Sequence, residues 1–252
     1  EPGERLYLYR NTYYRPEEFT DSRYDPAFSP TLYPGQTMEG AVYLPEYGRP
    51  AQVSLYVKDL HSGAVFCGER TVLQTGEWKK LTFTVPAGTD LLIGEAGFCF
   101  YMEGRALERY EFAGMADDIR FFGEADYLLD MRKEQDEVWP GGHREISQFT
   151  RLKGNAWLED GALHLSCGDF GEMYTGGCSW KDYEAEFLLT PVKGPFCGAG
   201  IRVQGAARSL GAALLSGDRL ALIKSRPDGN GYELLSETAF PWKEGERIRL
   251  TV

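Results

Sequence analysis

The sequence predicts an all-β protein built as two tandem β-sandwiches, and three observations carry that prediction. The 30 glycines and 13 prolines among 252 residues interrupt the chain so often that few windows could hold a helix of about 12 residues. Where apolar residues do recur, their period is two. From Lys181 to Leu189 one face carries Tyr183, Ala185, Phe187 and Leu189 while the other carries Asp182, Glu184, Glu186 and Leu188, a pattern that only an extended strand satisfies. Turn chemistry then separates short strand-like segments along the whole chain, as at Glu46–Pro50, His61–Gly63 and Asp228–Gly231.

Taken in order, Leu6–Arg10 reads as a short strand. Asn11–Gln36 follows as a long irregular passage holding Tyr13, Tyr14, Phe19, Tyr24, Phe28 and Tyr33. A loop of that length is usually packed, and its aromatics could either pin it to its own sandwich or offer a stacking platform to a sugar. Strands are expected next at Thr37–Leu44, Ala51–Leu60, Ala64–Gln74, Lys79–Val85, Glu95–Met102 and Asp118–Phe122, a count that suits a jelly roll. The phrases SPTLYPGQTMEGAVYL, GEWKKLTFTVPAGTD and FAGMADDIRFFG within residues 29–123 resemble the galactose-binding-like jelly-roll modules attached to many glycoside-active enzymes. In such modules an acidic residue near the last strand helps to hold a structural calcium ion, and the resemblance implies that role for Asp118 or its neighbour Asp117. A solvated edge pair is the competing reading of the two aspartates. Trp78 likewise has two readings, packing at the rim or stacking against a ligand.

From Gly123 to Gly142 the text turns denser in charge and ends in Pro-Gly-Gly, which sets the expected boundary between domains at residues 1–125 and 126–252. A β rhythm then resumes at Arg144–Arg151, Ala156–Glu159 and Ala162–Ser166. A hairpin is expected between Lys181–Leu189 and Ala199–Gln204 across Pro191, Gly194 and Pro195. Further strands follow at Ala212–Ser216, Arg219–Lys224, Tyr232–Glu237 and Arg247–Val252. By pattern this is a concanavalin-like sandwich. The strings MYTGGCSWKDYEAEF, GAGIRVQGAARSL, LALIKSR and FPWKEGERIRLTV resemble the C-terminal β region of bacterial ADP-ribosylglycohydrolase-like proteins, where a jelly roll is similarly placed before it. The resemblance implies a non-catalytic accessory region whose partner is a catalytic domain of the same polypeptide. That catalytic domain is helical and uses clustered acids to hold magnesium, and no stretch of this chain has such periodicity.

Composition narrows the partners. Lys and Arg total 27 against 38 Asp and Glu, and a net charge of -11 repels phosphate backbones and anionic membranes. No apolar run approaches a membrane span of roughly 20 residues, and the opening residues lack a signal-peptide pattern. The start without Met suggests a piece of a longer protein or a chain after processing. Cys67, Cys99, Cys167, Cys178 and Cys197 read as buried thiols of a reducing, cytoplasmic compartment, with a Cys67–Cys99 or Cys167–Cys178 bridge as the open alternative. His61, His143 and His164 have no partner at ligand spacing, so no transition-metal site is expected; structural calcium is the one cofactor in view.

Three functions follow from the polar face of the expected hairpin. Glu184, Glu186, Arg202 and Gln204 could hold a glycan or an ADP-ribose-type ligand through carboxylate and guanidinium contacts to hydroxyls. Asp182, Glu184 and Glu186 at i, i+2 and i+4 could instead serve as the paired carboxylates of a laminarinase-like glycosidase, although their order differs from the Glu, Asp, Glu of those enzymes. The third reading is a docking or oligomerisation module with no small ligand. A Gly-x-Ser-x-Gly elbow and a phosphate loop are absent: GAGIRVQG lies in a strand and opens no helix.

Overall fold

The computed structural model describes residues 4–10, 32–46, 51–101, 114–134, 136–138, 144–146, 148–168, 171–177, 180–204, 208–228 and 231–252. The expected aromatic loop from Tyr13 to Phe28, together with His143 and Cys178, lies outside them. Twenty strands and no helix occur among the described residues. They are β1 (Glu4–Arg10), β2 (Thr37–Tyr43), β3 (Ala51–Asp59), β4 (Val65–Cys67), β5 (Thr71–Leu73), β6 (Trp78–Thr84), β7 (Ile93–Tyr101), β8 (Met115–Phe122), β9 (Asp136–Val138) and β10 (Arg144–Ile146). The chain continues through β11 (Thr150–Lys153), β12 (Asn155–Glu159), β13 (Ala162–Ser166), β14 (Glu172–Tyr174), β15 (Glu186–Leu189), β16 (Phe196–Ile201), β17 (Leu210–Leu215), β18 (Arg219–Ser225), β19 (Tyr232–Ala239) and β20 (Ile248–Thr251). The all-β class expected from the glycine and proline punctuation is the one the chain adopts. Two compact units result: Glu1–Thr150 with Ala156–Leu165, and Arg151–Asn155 with Ser166–Val252.

In the first unit, antiparallel strands run in the order β1-β7-β3-β4, with β5 also on β3, and face a second sheet ordered β6-β2-β8. The core between them follows from alternation in β2, while β7 is buried on both faces along most of its length. In β2, Met38 and Val42 point inward beside Leu44, while Val53, Leu55 and Val57 of β3 and Ile93, Ala96, Phe98 and Phe100 of β7 meet them from the other sheet. The single strand expected over Ala64–Gln74 is instead two short ones, pairing with β3 at Tyr56–Lys58 and Ala51–Val53. Between them Gly68 lies so close to Phe83 that a Cβ there would meet the ring at 3.0 Å, and the chain steps aside.

The second unit sets β16-β17-β18-β19 against the antiparallel pair β15-β20. Ala199, Ala212 and Leu250 are buried between them, with Phe187, Leu189, Leu220 and Val252 packed around. The expected hairpin of β15 with β16 is not formed. Glu186 to Leu189 pair with Thr251 to Ile248, and β16 pairs with β17, so the two alternating segments belong to different sheets. Alternation establishes that a segment is extended and which face is apolar; it does not name the neighbour.

Cys99 is buried, but Cys67 and Cys167 are exposed and Cys197 is half-buried, which corrects the expectation of uniformly buried cysteines. Cys67 ends the short strand β4 as a free thiol and accepts a hydrogen bond from the Tyr101 hydroxyl at 3.4 Å, so the Cys67–Cys99 bridge is not made.

Candidate functional site

The outer face of the β6-β2-β8 sheet brings together the polar and aromatic groups best suited to hold a ligand. Since Met38 and Val42 face the core, Thr37, Glu39, Ala41 and Tyr43 face outward, and the register carries their cross-strand neighbours with them. Tyr43 is flanked by Trp78 and Met115, Ala41 by Lys80 and Asp117, Glu39 by Thr82 and Arg120, and Thr37 by Thr84 and Phe122. Trp78 is 50% exposed and Met115 52% exposed; the Trp78 ring lies 5.5 Å from that of Tyr43, tilted by 38°. Large apolar groups are thus held in water on a rigid surface.

Beside that row runs a ladder of charges. Lys80 Nζ is 2.7 Å from Glu39 Oε1 and 3.8 Å from Asp118 Oδ2, while Arg120 donates to Asp118 Oδ1 from Nε at 2.9 Å and from Nη2 at 2.5 Å. The register between β2 and β8 slips between Glu39 and Ala41, because Asp118 takes φ 53° and one extra residue is accommodated there. That bulge turns Asp118 toward the two cations. The Arg120 hydrogen bond holds the Asp118 carboxyl below its ordinary range, with the charges of Arg120 and Lys80 acting the same way. A calcium ion at Asp118 would have to displace both cations, and Asp117 already spends Oδ1 on the Asp118 amide at 2.7 Å. Among the described residues no three His, Cys, Asp or Glu side chains gather as a metal set.

The residues expected to bind a ligand in the second unit lie in and around β15 and just past β16. Glu184 precedes β15 in an exposed connection, and Glu186 points outward from β15, its Oε2 3.3 Å from Arg249 Nη1 on the paired strand. Arg202 falls one residue past β16 at φ 51°; its guanidinium donates to Asp182 Oδ1 at 2.7 Å and its amide to the Tyr183 hydroxyl at 2.6 Å. Gln204 closes the turn toward β17 through its amide to the Arg208 carbonyl at 2.8 Å. Only Glu186 of the three expected carboxylates lies within the strand, so the i, i+2, i+4 presentation that motivated the glycosidase reading is not realised.

One titratable cluster in the first unit is structural. Asp59 closes the β3–β4 turn, accepting from the Ser62 amide and hydroxyl at 2.8 and 2.6 Å and from the Leu92 amide at 3.0 Å. His61 in that turn is pushed below its ordinary pKa by burial, with Lys133 adding to the effect and Asp59 and Asp90 opposing it, and its Nε2 is shielded from water with no hydrogen-bond partner. Since the unfolded chain binds this proton more readily, the stability associated with neutral His61 is full above the unfolded value of about 6.5 and is lost as pH falls through the folded one. Thermal unfolding between about pH 7 and pH 5 is therefore expected to show a drop in Tm that is reduced in His61→Leu; an equal drop in both proteins would refute the assignment.

No family model matches this chain, and no curated protein does. Among solved structures it is similar to the N-terminal CBM22-1-CBM22-2 tandem domain of Xyn10C from Paenibacillus barcinonensis. That similarity has 12% identity and a TM-score of 0.28, covering 85% of this chain and 74% of that chain. A superposition that loose supports no inference about function.

Proposed function

We propose that this chain is a non-catalytic carbohydrate-binding region, and that the sugar lies on the outer face of the β6-β2-β8 sheet. The observation that carries the reading is the half-exposed Trp78 beside Tyr43 and Met115, held in register with the Lys80, Glu39, Asp118 and Arg120 ladder. A sugar ring has one apolar face of C–H groups and a rim of hydroxyls. The aromatic row suits the first, and ion-paired carboxylates and guanidinium suit the second, since their spare lone pairs and N–H groups can still meet hydroxyls. Because the ladder is largely neutralised within itself, a neutral glycan is favoured over a polyanion. On a glycan panel, Trp78→Ala is expected to weaken binding about tenfold to a hundredfold, the loss of a well-placed aromatic contact. Arg202→Ala is expected to leave it unchanged. If Arg202→Ala instead removes binding, the site is the surface of Glu184, Glu186, Arg202 and Gln204; if chelation of calcium removes it, Asp118 holds an ion.

The parent architecture belongs to the same proposal. The ordered motifs of residues 172–252 support placement beside an ADP-ribosylglycohydrolase-like catalytic domain, with a galactose-binding-like jelly roll preceding a concanavalin A-like sandwich, and ADP-ribose therefore joins the panel. A docking role is favoured by one feature of β19, an outer strand of its sheet on which Leu234 and Leu235 are 50% and 52% exposed. No glycan binding, together with a dimer in light scattering, would move the assignment to docking.

A further inference from the structure

The β6-β2-β8 face has a second apolar end. Phe122, at the opposite end of β8 from Met115, is 47% exposed, and the register sets it outward beside Thr37 while its neighbour Phe121 packs against the core. On the other side of Thr37 stands Thr84, and the two hydroxyl oxygens lie 3.0 Å apart. An exposed ring next to hydroxyl groups repeats the kind of surface that Trp78 and Tyr43 form at the other end of the strand.

The distance between the two ends decides what can use both. They are separated by the full length of β2, and seven extended residues, Thr37–Tyr43, place them roughly 20 Å apart. A single sugar ring cannot touch both; an extended chain of several rings can. The surface between the ends is continuous and polar. Ala41, near the middle of β2, carries only a methyl group, and beside it Lys80 reaches from β6 toward Asp118 on β8, its Nζ 3.8 Å from Asp118 Oδ2 and 2.7 Å from Glu39 Oε1. Arg120 Nη2 closes the network on Asp118 Oδ1 at 2.5 Å. These ion pairs tie the charged groups together across the central strand, with Lys80 and Arg120 balancing Glu39 and Asp118. Each group keeps N–H donors or lone pairs to offer to successive hydroxyls.

Building on the carbohydrate-binding reading above, we propose that the ligand is a linear, neutral oligosaccharide segment laid along β2. One ring rests against Trp78 and another against Phe122, and the hydroxyls of the rings between them meet the charged strip. Phe122 is then a second sugar contact, and affinity depends on chain length.

The test is calorimetric titration of the 252-residue chain with linear gluco-, manno- and xylo-oligosaccharides, each as disaccharide and as hexasaccharide. In at least one series the hexasaccharide is expected to bind about tenfold tighter than the disaccharide, the increment of one further aromatic contact. Phe122→Ala should remove most of that increment and leave the disaccharide affinity as in wild type. Phe122→Tyr, which keeps the ring, should keep the increment, and Trp78→Ala should weaken binding of both lengths. Equal affinity for the two lengths, or an increment undiminished in Phe122→Ala, would overturn the extended path while leaving a single-ring site at Trp78 standing. Absence of binding in every series at both lengths would overturn the extended path together with the neutral-sugar reading on which it rests.

Discussion

Phe98→Ala is expected to destabilise the first unit by about 3–5 kcal/mol, the range for emptying a buried aromatic position. Phe98 is fully buried on β7, opposite Leu55 of β3, and its ring reaches across the sandwich to the facing sheet. The reach is measurable at Gly40, where a Cβ would stand 3.0 Å from Phe98 Cζ. A residue without a side chain on β2 is thus matched to a ring that bridges the two sheets. Phe98→Ala removes the atoms that join them, and the strands on either side cannot close the gap without breaking their own ladders. Against a usual total of about 5–15 kcal/mol, such a loss takes a large share of the stability. The pairing also predicts non-additivity. Gly40→Ala alone should be costly because of the ring, yet nearly harmless in a Phe98→Ala background. A double-mutant cycle by urea unfolding would measure this, and strict additivity would show that the Gly40 contact carries no energy.

The parts of this fold that were legible in the sequence are those in which one face is buried. The strand expected over Thr37–Leu44 forms as Thr37–Tyr43, and of the strand expected over Lys181–Leu189 only Glu186–Leu189 forms, with Phe187 and Leu189 on the inner face as expected. Strand pairing was less legible, since β15 found β20 and not the segment nearest in sequence. The end of β16 at Ile201 and the left-handed residue that follows were equally hidden, and there Arg202 meets Asp182. Trp78 was legible as an ambiguity between rim packing and ligand stacking, and the register sets it outward beside Tyr43 and Met115. Nothing marked Phe122 as a contact in advance. Its outward place beside Thr37 is a property of register, which residue type and spacing do not encode. The bulge at Asp118 was hidden for a related reason, because a left-handed aspartate is compatible with an ordinary strand pattern until the register on both sides is known.

Gly211→Ala and Gly198→Ala are expected to destabilise the second unit by about 1–3 kcal/mol each, although alanine generally suits a strand better than glycine does. The reason is the closeness of β16 to β17. A Cβ on Gly211 would stand 2.5 Å from the Ala199 carbonyl oxygen, and one on Gly198 would stand 2.5 Å from that of Ala212. Both obstacles are backbone atoms that cannot swing away, so either methyl group must part strands whose hydrogen bonds form the ladder from Phe196–Leu215 to Ile201–Leu210. Gly200 supplies the control within the same strand: its nearest neighbour would be the Leu210 carbonyl at 3.6 Å, an ordinary contact, and Gly200→Ala should be neutral or slightly stabilising through the reduced entropy of the unfolded chain. Hydrogen exchange would read the difference as faster amide exchange across β16–β19 in the first two variants and unchanged exchange in the third. The same parting of strands would displace Phe196 from Tyr232, whose rings stack 5.6 Å apart. Equal stability of all three alanine variants would mean that β16 and β17 lie farther apart in solution.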